Sequence, residues 1–299
     1  MRGIILLLFT LITCTDNVSS SFVDIPLEGL VTDRKQEISG MTKFEDKLVL
    51  LPENLNGHMF YIPLDDIRKS INNMDTIRPM MSIFTTTNYK ESIAGFDGFE
   101  AIVFDGNDVY IAVEIRDNED MAGLLIWGRI NSETMEVVIP TNNIIRLETP
   151  IQVENCSFEG LNIQNGNLNI FYEVNGKKLR IDAWQYSIRL EDFSIYKTEF
   201  PHIEYRITDV TDVVDGKFWT MNYYWPGDKD RVGTDDTLGV EQIIELEIID
   251  NKIFKTNTSP IVLTNGKKSR NWEGLVRFDD GFLICTDKHP KMILGYVRR

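Results

Sequence analysis

The chain reads as an all-β protein, a five-bladed β-propeller of four-stranded antiparallel blades. Three observations lead there. A short phrase recurs five times, a second polar residue follows each copy at a constant distance, and turn residues stand midway between the two. The phrase is an apolar residue, a polar or acidic one, a mostly small one and an aliphatic. Its copies are Ile38-Ser39-Gly40-Met41, Phe99-Glu100-Ala101-Ile102, Phe158-Glu159-Gly160-Leu161, Ile207-Thr208-Asp209-Val210 and Trp272-Glu273-Gly274-Leu275. Fourteen residues after the polar position comes its companion, giving the pairs Ser39/Glu53, Glu100/Glu114, Glu159/Glu173, Thr208/Asn222 and Glu273/Asp287.

Each pair brackets a hairpin. The midpoints Glu45-Asp46, Gly106-Asn107, Asn165-Gly166, Asp215-Gly216 and Asp280-Gly281 are rich in residues that tolerate positive φ. The flanks, such as Val109-Tyr110-Ile111-Ala112-Val113 and Phe282-Leu283-Ile284-Cys285, are short and rich in β-branched or aromatic residues. A hairpin with a central turn sets positions i and i+14 side by side at its open end, so all ten polar residues are expected at one mouth.

Outer strands follow in the same order. Gly123–Gly128 and Glu136–Ile139 complete the second repeat, Leu179–Trp184 and Phe193–Tyr196 the third, and Gln242–Leu246 and Lys252–Phe254 the fourth. Four strands per repeat is the unit of a propeller blade. The stretch Asp65–Phe96 is the least repeat-like, and Asp65–Met74 is expected as a short helix or a loop excursion. The last repeat has room for only three strands, ending in Met292–Val297. Its fourth is expected from Phe22–Leu27, so that the N-terminal strand closes the ring and leaves no open edge. Six blades is the alternative count, although no long insert carries a sixth phrase.

Length and composition agree with one closed domain over residues 21–299: 299 residues, 42% of them apolar, with no long helical pattern and no Pro-, Gly- or Ser-rich linker. Residues 1–20 are set apart. Met1-Arg2-Gly3 followed by the apolar run Ile4–Ile12 reads as an export signal. Its end at Leu11-Ile12-Thr13-Cys14 resembles a bacterial lipobox, with Cys14 the lipidated residue and Thr15–Ser21 a tether. The expectation is an exported lipoprotein of the periplasm or outer membrane; cleavage near Ser19–Ser21 and secretion is the alternative. Cys156 and Cys285 fall in non-adjacent blades and are expected as buried thiols, not as a disulfide. The net charge of −15 excludes nucleic acid as a natural partner and suits cation binding or plain solubility. A monomer is expected.

Strand one of a blade lines the channel, so Ser39, Glu100, Glu159, Thr208 and Glu273 are expected as an inner ring. Glu53, Glu114, Glu173, Asn222 and Asp287 would form a second ring beside it. Seven carboxylates with three neutral oxygen ligands cannot stay ionised and unpaired in a narrow channel; they raise one another's pKa or demand a cation. Hard oxygen donors favour Ca²⁺, with Mg²⁺ second. The competing reading makes the carboxylates staples that accept backbone amides of the next blade, with no metal. In blade four Asp209 or Asp212 stands as a substitute for Thr208. Glu53, Asp287 and His289 are the acid/base candidates, with His58 a further loop histidine. Arg116, Lys178, Arg231 and Lys288 are the cations expected on loops around the mouth, suited to an anionic substrate or else ordinary solvated charge. The aromatic loop Tyr223–Asp228 is placed on the same face.

On these residues two resemblances appear. Phe158-Glu159-Gly160-Leu161 and Trp272-Glu273-Gly274-Leu275, each followed by a hairpin ending in Glu or Asp, resemble the esterase-like phytase family, and Ile207–Asn222 is similar to that family's later blades. The ring order Ser, Glu, Glu, Thr, Glu is similar to the five-bladed calcium-activated nucleotidases, or apyrases. That likeness implies one Ca²⁺ in the tunnel on Ser39, Glu100, Glu159, Thr208 and Glu273. The nucleotidases' Arg-rich substrate motif is absent, and Glu53-Asn54-Leu55-Asn56-Gly57 only loosely resembles their first-blade loop. Two functions remain open: a metal-dependent hydrolase of a phosphate or other ester, and a non-catalytic binding or scaffold propeller of the cell envelope. No nucleophile elbow, P-loop or dinucleotide fingerprint is present in the sequence.

Overall fold

The computed structural model describes residues 22–53, 57–85, 87–263, 270–289 and 291–299. Cys14, the rest of the export signal and Asn54-Leu55-Asn56 lie outside them. Five antiparallel sheets form the blades of a β-propeller. Blade one is Ile38–Phe44, Lys47–Pro52, His58–Pro63 and Met80–Ile83. Blade two is Phe96–Asp105, Asp108–Asp117, Asp120–Ile130 and Ile144–Glu148, with Val137–Val138 added beside the third strand. Blade three is Phe158–Gln164, Asn167–Tyr172, Trp184–Arg189 and Ile195–Glu199. Blade four is Arg206–Val210, Lys217–Tyr224, Val240–Ile249 and Lys252–Lys255, with Ile261–Val262 added beside its third strand. Blade five is Trp272–Phe278, Gly281–Thr286, Leu294–Arg298 and, from the other end of the chain, Phe22–Ile25.

The closing strand pairs as the short last repeat demands. Phe22 lies opposite Val297 and Ile25 opposite Leu294, so the edge of blade five is covered by the chain's own beginning. The irregular stretch after blade one's third strand holds the helix Leu64–Asn73, whose Ile67 is buried against that blade.

Five apolar clusters hold the ring, one in each gap between neighbouring blades. Phe44, Val49 and Leu51 meet Phe99 and Val109 between blades one and two. Trp219 and Met221 meet Trp272 and Ile284 between blades four and five. Cys156 and Cys285 are free and buried in two different clusters, as small apolar fillers. Among the described residues no helix is long and apolar enough to cross a membrane.

Three strand expectations shift. Glu136–Ile139, expected to complete blade two, holds only the two-residue strand Val137–Val138, and the fourth strand of that sheet is Ile144–Glu148. Leu179–Ala183 is not a strand: Leu179 and Arg180 donate their amides to Gly176 O in a turn, and blade three's third strand begins only at Trp184. The cause is Arg180, whose buried guanidinium donates to Asn175 and to Trp184 O and so folds the chain on itself. Phe193, expected in a strand, has φ 56° and belongs to the turn before Ile195–Glu199.

The inner strands share a feature the alternation of residues does not show. Each carries a β-bulge at its polar ring position: the register slips between Ile38 and Gly40, Phe99 and Ala101, Phe158 and Gly160, Ile207 and Asp209, and Trp272 and Gly274. The extra residue is left out of the ladder and its side chain is re-aimed. The i/i+14 partners are therefore not directly opposite; Ile38 faces Pro52, and Glu53 lies one residue beyond.

The residue after the bulge must be small because the inner strands crowd. A Cβ on Gly274 would come within 2.4 Å of Cys285 Sγ and 2.9 Å of Met41 Cβ. Replacing Gly274 with valine is expected to lower stability by about 1–3 kcal/mol through overpacking, read as a lower urea midpoint. A midpoint equal to the parent's would mean that this contact has room to give.

Candidate functional site

Four of the five bulged ring residues, Ser39, Glu100, Glu159 and Glu273, face one funnel. Its cavity, of about 590 Å³, is lined by Glu37, Ser39, Glu53, Asp97, Glu100, Glu114, Asn155, Glu159, Arg206, Tyr223, Trp225, Asp228, Arg231, Asn271, Glu273, Asp287, Lys288 and His289. Nine of these are carboxylates and three are Arg or Lys. Like charge therefore dominates the electrostatics.

The inner ring divides into two kinds of residue. Glu100, Glu159 and Glu273 line the funnel with 8%, 6% and 6% of their surface exposed. Ser39 lines it too, and its hydroxyl donates across to Phe99 O in blade two. Thr208 is fully buried and lies outside the lining. Its hydroxyl donates to Trp272 O in blade five, at 2.5 Å. The two hydroxyls thus bond the carbonyl just before the next blade's ring glutamate.

Among the described ring residues and their immediate neighbours, one carboxylate, Asp209, staples the next blade. Asp209 accepts the Leu275 amide at 2.7 Å and its neighbour Val210's at 2.7 Å. Burial pushes its pKa well above the usual range, against those two amides. Asp212 lies away from the funnel, 3.8 Å from Lys43 and 3.7 Å from Arg277. Glu100, Glu114 and Glu159 accept no backbone amide, and no ion pair reaches them among the described residues.

The second ring is also divided. Glu53, Glu114 and Asp287 line the funnel. Burial, with Glu37 beside it, raises Glu53 to about 8; burial, with Glu173 and Asp97 nearby, raises Glu114 to about 8. Burial and the neighbouring glutamates push Glu100 and Glu159 well above the normal range. Asp287 accepts the His289 amide at 2.7 Å and Asn271 Nδ2 at 3.0 Å. Asn222 turns away from the funnel and clamps backbone, donating to Glu204 O at 2.9 Å and Arg206 O at 3.1 Å. Glu173 is fully buried and accepts Arg206 Nε.

Of the expected rim cations, Arg231 and Lys288 line the funnel, paired with Asp228 at 3.7 Å and Glu37 at 2.6 Å. Arg116 and Lys178 do not. Arg116 pairs with Asp97 and Glu154, and Lys178 with Asp235 at 2.6 Å. His289 lines the funnel, whereas His58 starts a strand opposite Ile83. From the aromatic loop, Tyr223, Trp225 and Asp228 reach the lining, Trp225 half exposed.

The strongest omission of sequence reasoning is Arg206. Its guanidinium enters the funnel, bonds Glu173, and stands 3.7 Å from Asp228 and 3.9 Å from Glu273. Burial works against its charge, but Glu173, Glu273 and Glu159 outweigh burial and hold it protonated. Glu37, Asp97, Asn155 and Asn271 were missed with it. A usable signal existed: Glu37, Arg206 and Asn271 each precede a ring residue by two.

As they stand, no three Asp, Glu, His or Cys side chains among the described residues are gathered as metal ligands. The carboxylates surround the cavity without converging on one point. Hard oxygen donors nevertheless fit a group IIA cation, and Glu273 Oε2 is buried with no hydrogen-bond partner.

No family model matches the chain, and no curated protein matches it. Solved structures do. One is a member of the GH130 family of mannoside phosphorylases, described as containing glycoside hydrolases that target β-1,2 mannosidic linkages in Candida mannan; it is 10% identical, with a TM-score of 0.52 over 94% of this chain and 94% of that one. Another is an exo-1,5-α-L-arabinanase from a bovine ruminal metagenomic library, 9% identical, with a TM-score of 0.51 over 93% of this chain and 94% of that one. At such identity the likeness is one of fold: these neighbours are five-bladed propeller glycoside hydrolases, and they give no support to the phytase or apyrase resemblance in particular.

Among the described residues, the Thr208 hydroxyl is the only side-chain donor to Trp272 O. Thr208→Val, close to isosteric, leaves that buried carbonyl unmet and is expected to cost about 1–3 kcal/mol, measured by chemical denaturation. No loss would show that the blade-to-blade bond contributes nothing to stability.

Proposed function

We propose that this chain is an exported, lipid-anchored hydrolase whose acidic funnel holds a divalent cation, calcium before magnesium, and that it cleaves a phosphate or other ester. One observation carries the reading. Three glutamates of the funnel, Glu100, Glu114 and Glu159, are more than nine-tenths buried and have neither a backbone amide nor a cationic partner bonded to them. Buried carboxylates without partners are costly, and a staple would have bonded them.

Glu100, Glu159 and Glu273, with Ser39, would hold the cation. When bound, it would supply Lewis acidity to water and to an ester oxygen. The chain's own groups have separable tasks. Glu53, Asp287 and His289 stand in the lining as the proton-moving groups. Asn271 orients Asp287 and Glu273, donating to both carboxylates. Arg231 and Lys288 lie where the anionic end of a substrate would meet charge, and Trp225 offers an exposed ring face beside them. The Cys14 lipobox is the support for anchoring.

A second reading is hydrolysis of a glycoside between two carboxylates with no metal. The acid-lined funnel is compatible with it, and the activities described for the two fold neighbours motivate its inclusion in a substrate screen. Metal dependence separates the two.

The deciding experiment is thermal unfolding of residues 21–299 after EDTA, with Ca²⁺ or Mg²⁺ restored. A cation bound only by the native state at a hundred times its dissociation constant adds about 2.7 kcal/mol. The expected result is a clear rise in Tm with Ca²⁺ that Glu159→Gln abolishes. Ester cleavage lost in EDTA and regained with Ca²⁺ would then establish the activity. No shift with either cation sinks the metal, and glycoside turnover in EDTA would install the second reading. Neither shift nor turnover would leave a binding propeller.

A further inference from the structure

Arg206 is the most enclosed cationic side chain of the funnel, 12% exposed against 35% for Lys288 and 40% for Arg231, and the structure invests heavily in placing it. The residue before it, Tyr205, has φ 69°, a left-handed backbone that a bulky aromatic side chain rarely adopts. Tyr205 is fixed there from both ends: its hydroxyl donates to Asp236 at 2.6 Å and its ring stacks on Tyr224 at 5.1 Å. Asn222 clamps the carbonyls of Glu204 and Arg206, and Gln242 in turn donates to Asn222 Oδ1 at 2.8 Å. The Ile207 amide bonds Glu173 O at 2.9 Å. The guanidinium lies over the Tyr223 ring at 5.8 Å. Backbone strain, two side-chain clamps and a ring all direct one guanidinium into the acidic ring.

The charges around it are asymmetric. Arg206 takes Glu173 and reaches Asp228 and the Oε1 edge of Glu273, all on the blade three to five side. It leaves Glu273 Oε2 unpartnered. Glu100, Glu114 and Glu159, on blades two and three, have no cation bonded to them among the described residues, although the Arg206 charge reaches Glu159 through space. Nine funnel carboxylates are enough for a pair of divalent ions, the arrangement that two-metal hydrolases use. The tethered guanidinium fills one half of that capacity.

We propose that Arg206 stands in place of a second metal ion: a built-in counter-cation that neutralises the Glu173 side of the ring, limits the funnel to one divalent cation on the Glu100–Glu159 side, and sets how tightly that ion is held. The part concerning the external ion rests on the metal reading above. The part concerning the counter-charge does not.

Two measurements test them separately on residues 21–299. The first is calorimetric titration with CaCl₂ of the parent, Arg206→Met and Arg206→Lys. Removing one unit charge within a few ångströms, at an effective dielectric of about 20, shifts cation affinity about tenfold or more. Arg206→Met is therefore expected to bind Ca²⁺ at least about tenfold more tightly, or to take up a second ion, with Arg206→Lys close to the parent. A merely structural arginine would move neither quantity in that direction. Unchanged or weaker binding in Arg206→Met, at unchanged stoichiometry, overturns the limiting role.

The second measurement is thermal unfolding in EDTA, where no external ion contributes. Arg206→Met is expected to lower Tm, or to prevent folding, because Glu173 is left buried and uncompensated. Arg206→Met/Glu173→Gln is expected to recover a large part of that loss. A double variant no more stable than Arg206→Met overturns the counter-charge. If parent and Arg206→Met both bind no Ca²⁺, the external ion and the metal reading fall together, and the EDTA comparison alone decides the counter-charge.

Discussion

The molecule is organised around a concentration of like charge on one axis. A propeller brings the inner strands of all its blades to a common channel, so any residue type repeated at one strand position is multiplied there. In this chain that position holds Glu in three blades, and the positions just before and beyond it add more acids. Crowded carboxylates in a low-dielectric channel must protonate, find a cation or move apart. The raised pKa of Glu53, Glu100, Glu114 and Glu159, the buried guanidinium of Arg206 and the Lys288–Glu37 pair are three local responses to that one constraint.

The bulges are what make the ring possible. In a regular ladder a glutamate at the ring position would alternate with its neighbours across the sheet and sit in the gap between blades, among the apolar clusters. An extra residue lifts it out of the pairing and aims it along the channel. The same device frees the carbonyls that Ser39 and Thr208 then bond across to the next blade. Blade four is the exception that explains the rule. Thr208 there is drawn into blade bonding, Asp209 takes the Leu275 amide, and the inner strand's own charge in the funnel comes two residues earlier, as the cation Arg206, with Asp228 and Arg231 added by the segment after the second strand. That inner strand thus supplies a counter-charge where those of blades two, three and five supply acids.

Much of this was legible in the sequence because it is periodic. The recurring phrase and its constant companion offset exposed the blades, the shortened last repeat exposed the closing strand Phe22–Ile25, and the ring positions exposed Glu100, Glu159 and Glu273 as funnel residues. What was not legible is what occurs once. Arg206 has no counterpart in the other blades, so no repeat announces it. Leu179–Trp184 alternates like a strand, but Arg180 finds its partners locally and folds the segment into a turn. Arg116 and Lys178 are close to the mouth in sequence, yet each is captured by a nearer acid before it can reach the lining. Local electrostatics decides such cases, and composition near a loop does not reveal the winner.

The repeated phrase also fixes an aliphatic residue near each ring position. The last residue of each phrase, two beyond the ring, is aliphatic: Met41, Ile102, Leu161, Val210 and Leu275. These five line a small cavity of about 160 Å³ on the channel's far side. They lie two residues beyond Ser39, Glu100, Glu159, Thr208 and Glu273, and Thr42, Lys43, Thr211 and Asp212 share the lining of that cavity. Aliphatic groups so close in the chain to the carboxylates lower the local dielectric, which strengthens charge interactions there. The funnel mouth, where Trp225, Lys288 and His289 stand, leads to these acids. A cation, a guanidinium or the charged end of a substrate entering that mouth therefore meets acids that are more than nine-tenths buried, where solvent screening is weak, and the same repeated phrase places both the ring residue and, two positions on, an aliphatic neighbour.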